Sequence, residues 1–292
     1  MPGKIRPMTD RDSDKDPSSK MEPRATLASW WRDIEVAARF LTRIPLPGGE
    51  QPSDGGNDED EEDAEISVLP EGLLAQASRA FPLVGLGIGL FGAIILIFAR
   101  SVGLGPVLSA VLGIAAIIAI TGGLHEDGLA DAADGLAAGR DREAKLAIMR
   151  DTRIGAFAVL ALILSVLLRV GALAAIPGTY AAAAALIAAA VFSRAVLPVV
   201  MAALEPARMG GLAVAAGKPP QDRVIAAGLL GIVLVLLFLG PGTGIIALLA
   251  GVGAAAAAAL FAQQQLGGYT GDVLGAIQQV TEIAVLLAAA AS

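Results

Sequence analysis

The chain has 292 residues, of which 55% are hydrophobic, and its formal net charge at pH 7 is −7. Its mean hydropathy of +0.68 exceeds what a water-soluble domain needs, so the composition predicts that lipid surrounds most of the chain. The lack of cysteine excludes disulfides, iron–sulfur clusters and thiolate metal sites, and we expect no nucleic-acid partner.

The beginning of the chain is mostly polar. Met1–Glu22 and Gly48–Glu65 carry many charges and few large apolar side chains. Such segments cannot bury enough apolar surface to offset the entropy that ordering costs. We predict a disordered extension over 1–29 and a membrane domain over 30–292, with a disordered acidic insert at 48–65. No charged segment followed by an apolar core and a cleavage site is present, so we expect no signal peptide.

An amphipathic helix is predicted before the first membrane span. Within Trp30–Pro47, one helical stripe carries only apolar side chains, while the charged residues lie off it. The stripe consists of Trp30, Ile34, Ala37, Ala38 and Leu41. A helix of this kind lies in the membrane interface, with its tryptophans at headgroup level.

Seven apolar blocks follow, each close to the length that crosses a bilayer, which is about 20 helical residues. They are Phe81–Ala99, Leu104–Ile120, Ile154–Ile176, Tyr180–Leu204, Val224–Leu239, Thr243–Ala262 and Val273–Ala291. The predicted fold is therefore an all-α polytopic membrane bundle with about seven transmembrane helices and interfacial amphipathic helices.

The basic residues predict how the spans are oriented. Of 21 Lys and Arg residues, ten precede the first span, five lie in one connection and three in another. Cytoplasmic connections are enriched in Lys and Arg. The segments that we therefore expect in the cytoplasm are those before Phe81 and at 121–153, 205–223 and 263–271. Arg100 is the exception to this pattern.

The stretch Thr121–Gly139 is rich in carboxylates and follows the second span. On a helix, Asp127, Asp131 and Asp134 fall within about 60° of one another. Glu126 lies about 100° from Asp127 and joins them only if the helix begins after it. Carboxylates this close raise one another's pKa unless a cation neutralises them, and oxygen ligands suit Mg²⁺ or Mn²⁺. The alternative is a solvated helix face with a few acids.

Arginines that are able to bind phosphate occur in three places. Arg140 and Arg153 belong to the basic connection, which serves either as a topology signal or as a cationic rim. Arg43 lies in the predicted interfacial segment. Arg169 and Arg194 lie within spans, and Arg194 should face a cavity or a partner because an arginine at that depth is costly in lipid.

The last span opens with the segment Gly267–Asp272. Its glycines permit close backbone approach, and free amides at a helix N-terminus favour anions. Asp272 either caps this helix or contributes to a metal site. Gln278, Gln279 and Glu282 lie inside the span, so we expect them to face the bundle interior or water.

Carboxylates with a metal, together with arginines and helix termini for phosphate, make a phosphoryl-transfer site. In such a site the metal bridges diphosphate oxygens, while an acid accepts the proton of an attacking hydroxyl. A membrane location indicates that a substrate or product is bulky, amphipathic or lipid-anchored.

Several motifs, in order from about Trp31 to the C-terminus, resemble the adenosylcobinamide-GDP ribazoletransferase family, also called cobalamin synthases. They are FLTRIP at 40–45, FPLVG at 81–85, TGGLHEDGLADAADG at 121–135, GRDREAKLAIMRDTRIGAFA at 139–158, SRA at 193–195 and GGYTGDVLGA at 267–276. The extension and the acidic insert depart from the family pattern but touch none of these motifs.

The resemblance implies an inner-membrane, multi-pass bacterial enzyme whose active site faces the cytoplasm. It implies that adenosylcobinamide-GDP is joined to α-ribazole or its 5′-phosphate with Mg²⁺, giving adenosylcobalamin or its phosphate and GMP. A homo-oligomer, or an association with other late enzymes of the pathway, is left open.

Site residues are carried over onto the motif positions. Asp127, Asp131 and Asp134 are expected to be catalytic and to hold Mg²⁺, with Glu126 and Asp272 assisting. The residues expected to contact phosphates are Arg43, Arg140, Arg153 and Arg194.

Two alternatives remain. The first is a CDP-alcohol phosphotransferase, because Asp131–Ala138 matches the beginning of the motif D-x-x-D-G-x-x-A-R. Gly139 then intervenes before Arg140, and the later glycine and paired aspartates are absent at the required spacing. The second is a divalent-cation transporter, which needs carboxylates near mid-membrane, whereas this stretch lies outside the predicted spans.

Overall fold

The computed structural model describes residues 23–45 and 72–292. All regular elements within these ranges are helices, apart from one isolated bridge between Pro206 and Tyr269, which confirms the all-α prediction. The α-helices are α1 Pro23–Leu41, α2 Leu73–Ala77, α3 Phe81–Ser101, α4 Pro106–Thr121, α5 Leu124–Ala138, α6 Arg142–Ile148, α7 Ala156–Ala175, α8 Thr179–Ala195, α9 Leu197–Ala203, α10 Leu212–Ala216, α11 Gln221–Leu266 and α12 Gly271–Ala290.

Helix α1 contains the predicted amphipathic stripe, with Ala37 and Leu41 buried and Trp31 exposed. It begins at Pro23, a residue suited to a first helical turn, and so includes residues 23–29 of the predicted disordered extension. The acidic insert at 48–65 and the first 22 residues lie outside the described ranges.

Within the described residues, five helical segments are long and apolar enough to cross a membrane. The bent pair α4 and α5 makes a sixth if it is counted as one span. This result confirms a polytopic helical membrane protein, while the number seven stays a prediction.

Helix α11 is 46 residues long and contains one non-helical residue, Gly240, with φ 71° and ψ 170°. A Cβ added to Gly244 would lie 3.0 Å from Leu236 Cδ2 and 3.4 Å from Leu236 Cα. Eight residues of continuous helix would instead separate these positions by about 12 Å. The chain therefore turns back on itself at Gly240, within the predicted connection between the fifth and sixth spans.

The connections that the basic residues assign to one side meet at one end of the bundle. Arg79 and Arg223 both donate to Asp33, at 2.5 and 3.0 Å. The amide of Ala207 donates to the carbonyl of Tyr269 at 2.8 Å, and Arg142 donates to the carbonyl of Ala207. These contacts join all four predicted cytoplasmic segments.

A sharp bend carries the chain from α4 into α5. The two helices meet at 90°, and the intervening Gly122 and Gly123 adopt positive φ angles of 66° and 74°. Residues with a side chain seldom adopt this left-handed conformation. The bend lays α5 against α7 and α12, and so positions the carboxylates.

Candidate active site

The carboxylate stretch forms helix α5, which begins at Leu124. Glu126 therefore lies inside the helix. Because the helix does not begin after Glu126, this residue does not join the three aspartates on their face. Asp127 is exposed, Asp131 is half-buried and Asp134 is only 8% exposed. The three aspartates share the helix face that their spacing predicts, yet they differ in their access to solvent.

Asp134 holds the N-terminus of α7. Its Oδ2 accepts a hydrogen bond from the amide of Gly155 at 2.6 Å, and its Oδ1 accepts one from the amide of Ala158 at 3.0 Å. Amides in the first helical turn lack partners within the helix, and a carboxylate there also interacts favourably with the helix dipole. Both oxygens are thus engaged, so we do not carry forward the catalytic and metal-binding roles predicted for Asp134.

Glu126 points into the bundle instead of toward the other acids. Its Oε1 accepts hydrogen bonds from Arg169 Nη1 and Gln279 Nε2, each at 3.0 Å. Arg169 also donates to Glu282 at 3.3 Å, and both of these side chains are fully buried. An inward-facing carboxylate bound to a buried arginine is not placed to bind a metal beside Asp127, so the metal role of Glu126 is not carried forward either.

Arg194 completes what we call the buried ion network, which consists of Glu126, Arg169, Arg194 and Glu282. Arg194 Nη1 lies 3.8 Å from Glu282 Oε2 and donates to the carbonyl of Ala190 at 3.0 Å. The expectation that Arg194 faces a partner is met. At 1% exposure its side chain has no route to a phosphate in solvent, so its predicted phosphate contact is not carried forward.

The segment Gly267–Asp272 places the start of α12 against α5. Thr270 is the capping residue, because its hydroxyl accepts a hydrogen bond from the amide of Val273 at 3.2 Å. Asp272 Oδ2 accepts from the Thr270 hydroxyl at 3.0 Å and lies 3.9 Å from Arg208 Nη2. A Cβ on Gly128 of α5 would lie 3.0 Å from the Asp272 carbonyl oxygen, so the two helices are in direct backbone contact there.

The remaining predicted arginines lie at the two ends of α5 or in the connection that follows it. Arg43 crosses the bend between α4 and α5, where a Cβ on Gly122 would lie 2.5 Å from its side chain. Arg140 is exposed. Arg153 is also exposed and pairs with Asp151 at 2.6 Å, and this guanidinium lowers the pKa of Asp151 to about 2. The phosphate-binding roles of these three side chains stay predictions.

Comparison with known proteins identifies the family. The model of the cobalamin-5-phosphate synthase family matches residues 33–290. The chain belongs to that family. A match of this extent covers α5, the buried ion network and the start of α12, so the whole candidate site lies within the region that this cobalamin synthase family shares.

Individual relatives named adenosylcobinamide-GDP ribazoletransferase are similar over nearly their whole length. One from Bradyrhizobium diazoefficiens is 43% identical over 259 residues, which cover 89% of this chain and 93% of the relative. Another from Azorhizobium caulinodans is 43% identical over 264 residues, with coverages of 87% and 94%. A third from Mesorhizobium japonicum is 42% identical over 274 residues, with coverages of 94% and 96%. No solved structure matches the chain.

The carboxylates predicted to bind the metal are not all grouped together in the structure. In the described ranges, no three or more His, Asp or Glu side chains are grouped so that they could hold a metal ion. Mg²⁺ does not need such a cage, because it usually keeps several waters and is bound by one or two carboxylates together with substrate phosphates. Asp127 and Asp131, one helical turn apart on the open face of α5, fit that pattern.

The sequence predicts no role for Arg169 and Ser165, yet both side chains form hydrogen bonds in the interior of the bundle. Ser165 donates to Gln279 at 2.8 Å, and Gln279 in turn donates to Glu126. The sequence contains a signal for this arrangement, namely an arginine in one apolar span and an acid, Glu282, in another. Which span meets which is a property of the fold, so spacing along the chain does not identify the pair.

Proposed function

We propose that this chain joins adenosylcobinamide-GDP to α-ribazole or α-ribazole 5′-phosphate and releases GMP. The observation that carries the proposal is its similarity, over most of both chains, to relatives named adenosylcobinamide-GDP ribazoletransferase. The product is adenosylcobalamin or its 5′-phosphate, so the reaction belongs to cobalamin biosynthesis.

The geometry supports a diphosphate site on the open face of α5. Asp127 is exposed, Asp131 follows it by one turn, and Arg43 crosses the adjoining bend. Carboxylates and arginines can bind the same diphosphate, because carboxylates hold a cation and arginines bind phosphate oxygens directly. We propose that Asp127 and Asp131 hold Mg²⁺ and that Arg43, Arg140 and Arg153 contact the phosphates.

The reaction follows from these assignments. A ribose hydroxyl of α-ribazole forms a new bond to the phosphorus that is esterified to cobinamide, and the bond from that phosphorus to the bridging oxygen of GMP breaks. A carboxylate on the open face of α5 accepts the hydroxyl proton. Bound Mg²⁺ would offset the charge of the diphosphate and stabilise the departing GMP. Arg43, Arg140 and Arg153 hold the phosphates in line for attack.

We also propose that this end of the bundle faces the cytoplasm and that the protein resides in the bacterial inner membrane. The connections that meet at this end carry most of the basic residues outside the spans, and such connections remain on the cytoplasmic side during insertion. The two substrates would then reach α5 from the cytoplasm, while the apolar spans anchor the protein.

Purified protein in detergent tests the proposal. GMP release that requires both adenosylcobinamide-GDP and α-ribazole, together with added Mg²⁺, is the expected result. Each substrate omitted in turn serves as the control, and chelation of the metal by EDTA should stop turnover. Release of CMP from a CDP-alcohol, or metal flux into liposomes without turnover, would overturn the proposal in favour of a phosphotransferase or a transporter.

A further inference from the structure

Four charged side chains meet inside the bundle. The buried ion network takes Glu126 from α5, Arg169 from α7, Arg194 from α8 and Glu282 from α12, so it ties together four helices. When all four groups are ionised, their charges cancel. Glu126 directly precedes Asp127, so the network begins one residue away from the proposed diphosphate site.

Stability alone does not explain this arrangement. Replacing a buried ion network with apolar side chains of similar volume is often neutral or stabilising. Two guanidinium nitrogens, Arg169 Nη2 and Arg194 Nε, are also buried without a hydrogen-bond partner in the described structure. Ionisable groups inside membrane spans are costly, and they usually serve function.

The contact between α5 and α12 needs an additional constraint. Gly128 and Gly275 face each other, and a Cβ on Gly275 would lie 3.1 Å from the Cα of Gly128. Glycines allow the helices to approach closely, but they present no side chain that resists rotation or sliding. The hydrogen bonds from Arg169 and Gln279 to Glu126 supply that resistance at the N-terminal end of α5, because they are made in only one rotation of the helix. The amides that donate to Asp134 hold the other end of α5.

This rotation determines where the aspartates point. With Glu126 directed into the bundle, Asp127 lies about 100° and Asp131 about 140° around the helix from it. Those angles agree with the exposure of Asp127 and the partial exposure of Asp131.

We propose that Glu126 is a positioning residue, held by Arg169 and Gln279, that fixes the rotation of α5 and thereby presents Asp127 and Asp131 to the diphosphate and its metal. The inference rests on the proposed function, since it assigns a consequence for turnover. Glu126 then does not bind the metal itself but acts through the position of Asp127 and Asp131.

Two substitutions at one position separate the roles that Glu126 can have. Glu126→Ala removes the anchor, and we expect kcat per folded molecule to fall roughly 10- to 100-fold because reacting groups tolerate little misplacement. The Mg²⁺ concentration for half-maximal rate should rise, while KM for α-ribazole stays within about twofold, since truncating Glu126 removes no contact to that substrate. Glu126→Gln keeps an oxygen that accepts from Arg169 and Gln279, so it should recover most of kcat.

Other roles give other results. A direct metal ligand would be impaired by Glu126→Gln about as much as by Glu126→Ala, and that outcome would overturn the inference. A purely structural residue would lower the thermal midpoint of Glu126→Ala while leaving kcat per folded molecule unchanged, which would also overturn it. Gln279→Met provides a variant that introduces no unpaired charge, and it should lower kcat several-fold with the same rise in the Mg²⁺ requirement. Unchanged kinetics in this variant count against the inference even if Glu126→Ala does not fold.

A distance measurement supplies a readout that does not depend on turnover. The chain has no cysteine, so spin labels can be placed at Ala138→Cys, on the exposed end of α5, and at Ser101→Cys, on the exposed end of α3. We expect one narrow distance distribution in the parent and in Glu126→Gln, and a shifted or broadened one in Glu126→Ala. Lys218→Gln, which breaks an exposed pair with Glu205, is the matched control and should change nothing. An unchanged distribution in Glu126→Ala would overturn the inference, whereas a parent without GMP release would instead overturn the proposed function.

Discussion

At the scale of single residues, the open face of α5 carries the sharpest prediction. Asp131→Asn removes a charge from the pair that we propose holds Mg²⁺, so GMP release should be nearly abolished while membrane insertion stays intact. The measurements are GMP release and the amount of folded protein recovered from membranes. Glu143→Gln, an exposed acid on α6, is the matched control. Activity of Asp131→Asn within a few-fold of the parent would show that the metal assignment is wrong.

Helical spacing predicts that Asp127, Asp131 and Asp134 share a face, and the structure agrees because 100° per residue is a property of any α-helix. The spacing of these acids along α5 does not predict which residues elsewhere in the chain they bind. Asp134 binds the amide of Gly155, 21 positions later in the chain. The partner of Glu126 is Arg169, 43 positions away. The roles of these two acids depend on which helices become neighbours, and local periodicity does not contain that information.

At the scale of helices, Asp134 should matter for the stability of α7. Asp134→Ala leaves the amides of Gly155 and Ala158 without their carboxylate, and we expect the free energy of unfolding to fall by roughly 1–2 kcal/mol, as for loss of a helix cap. Thermal unfolding in detergent measures this loss. Asp141→Ala removes the exposed capping residue of the short helix α6 and should cost less. An unchanged midpoint for Asp134→Ala would refute the capping role.

Arg142 should act between helices and not on phosphate. Its Nε donates to the carbonyl of Leu266 at 2.7 Å, and its guanidinium also donates to the carbonyl of Ala207. Arg142→Ala should therefore lower the thermal midpoint while GMP release per folded molecule stays within a few-fold. Arg150→Ala, an exposed residue of the same connection, is the control for loss of charge. A large loss of turnover at unchanged stability would instead assign Arg142 to the phosphate rim.

At the scale of the whole molecule, hydropathy predicts the apolar blocks well because lipid selects apolar residues over a fixed length. Hydropathy does not predict where the chain bends between helices. The 90° change of direction between α4 and α5 depends on two consecutive left-handed glycines, and nothing in the hydropathy indicates which glycines adopt that conformation. The sequence likewise does not indicate that α1 starts at Pro23, because the residues that precede Trp30 resemble the polar extension in composition.

The reversal of α11 determines how many times the chain crosses the membrane. A straight helix of 46 residues would extend about 69 Å, more than twice the thickness of a bilayer core. Because Gly244 contacts Leu236, the two halves instead lie side by side and Gly240 marks the far end of a helical hairpin. Gly242 should then lie on the side of the membrane opposite to Thr152, which belongs to the basic connection.

Labelling in intact cells tests this arrangement, and the absence of cysteine makes the chain suited to it. Gly242→Cys should react with a maleimide that does not cross the inner membrane, whereas Thr152→Cys should react only after the membrane is permeabilised. Both positions are exposed, so accessibility within the protein does not separate them. Pro177→Cys, an exposed position in the connection between α7 and α8, is the control for the outer side. Protection of Gly242→Cys together with labelling of Pro177→Cys would mean that α11 does not form two spans.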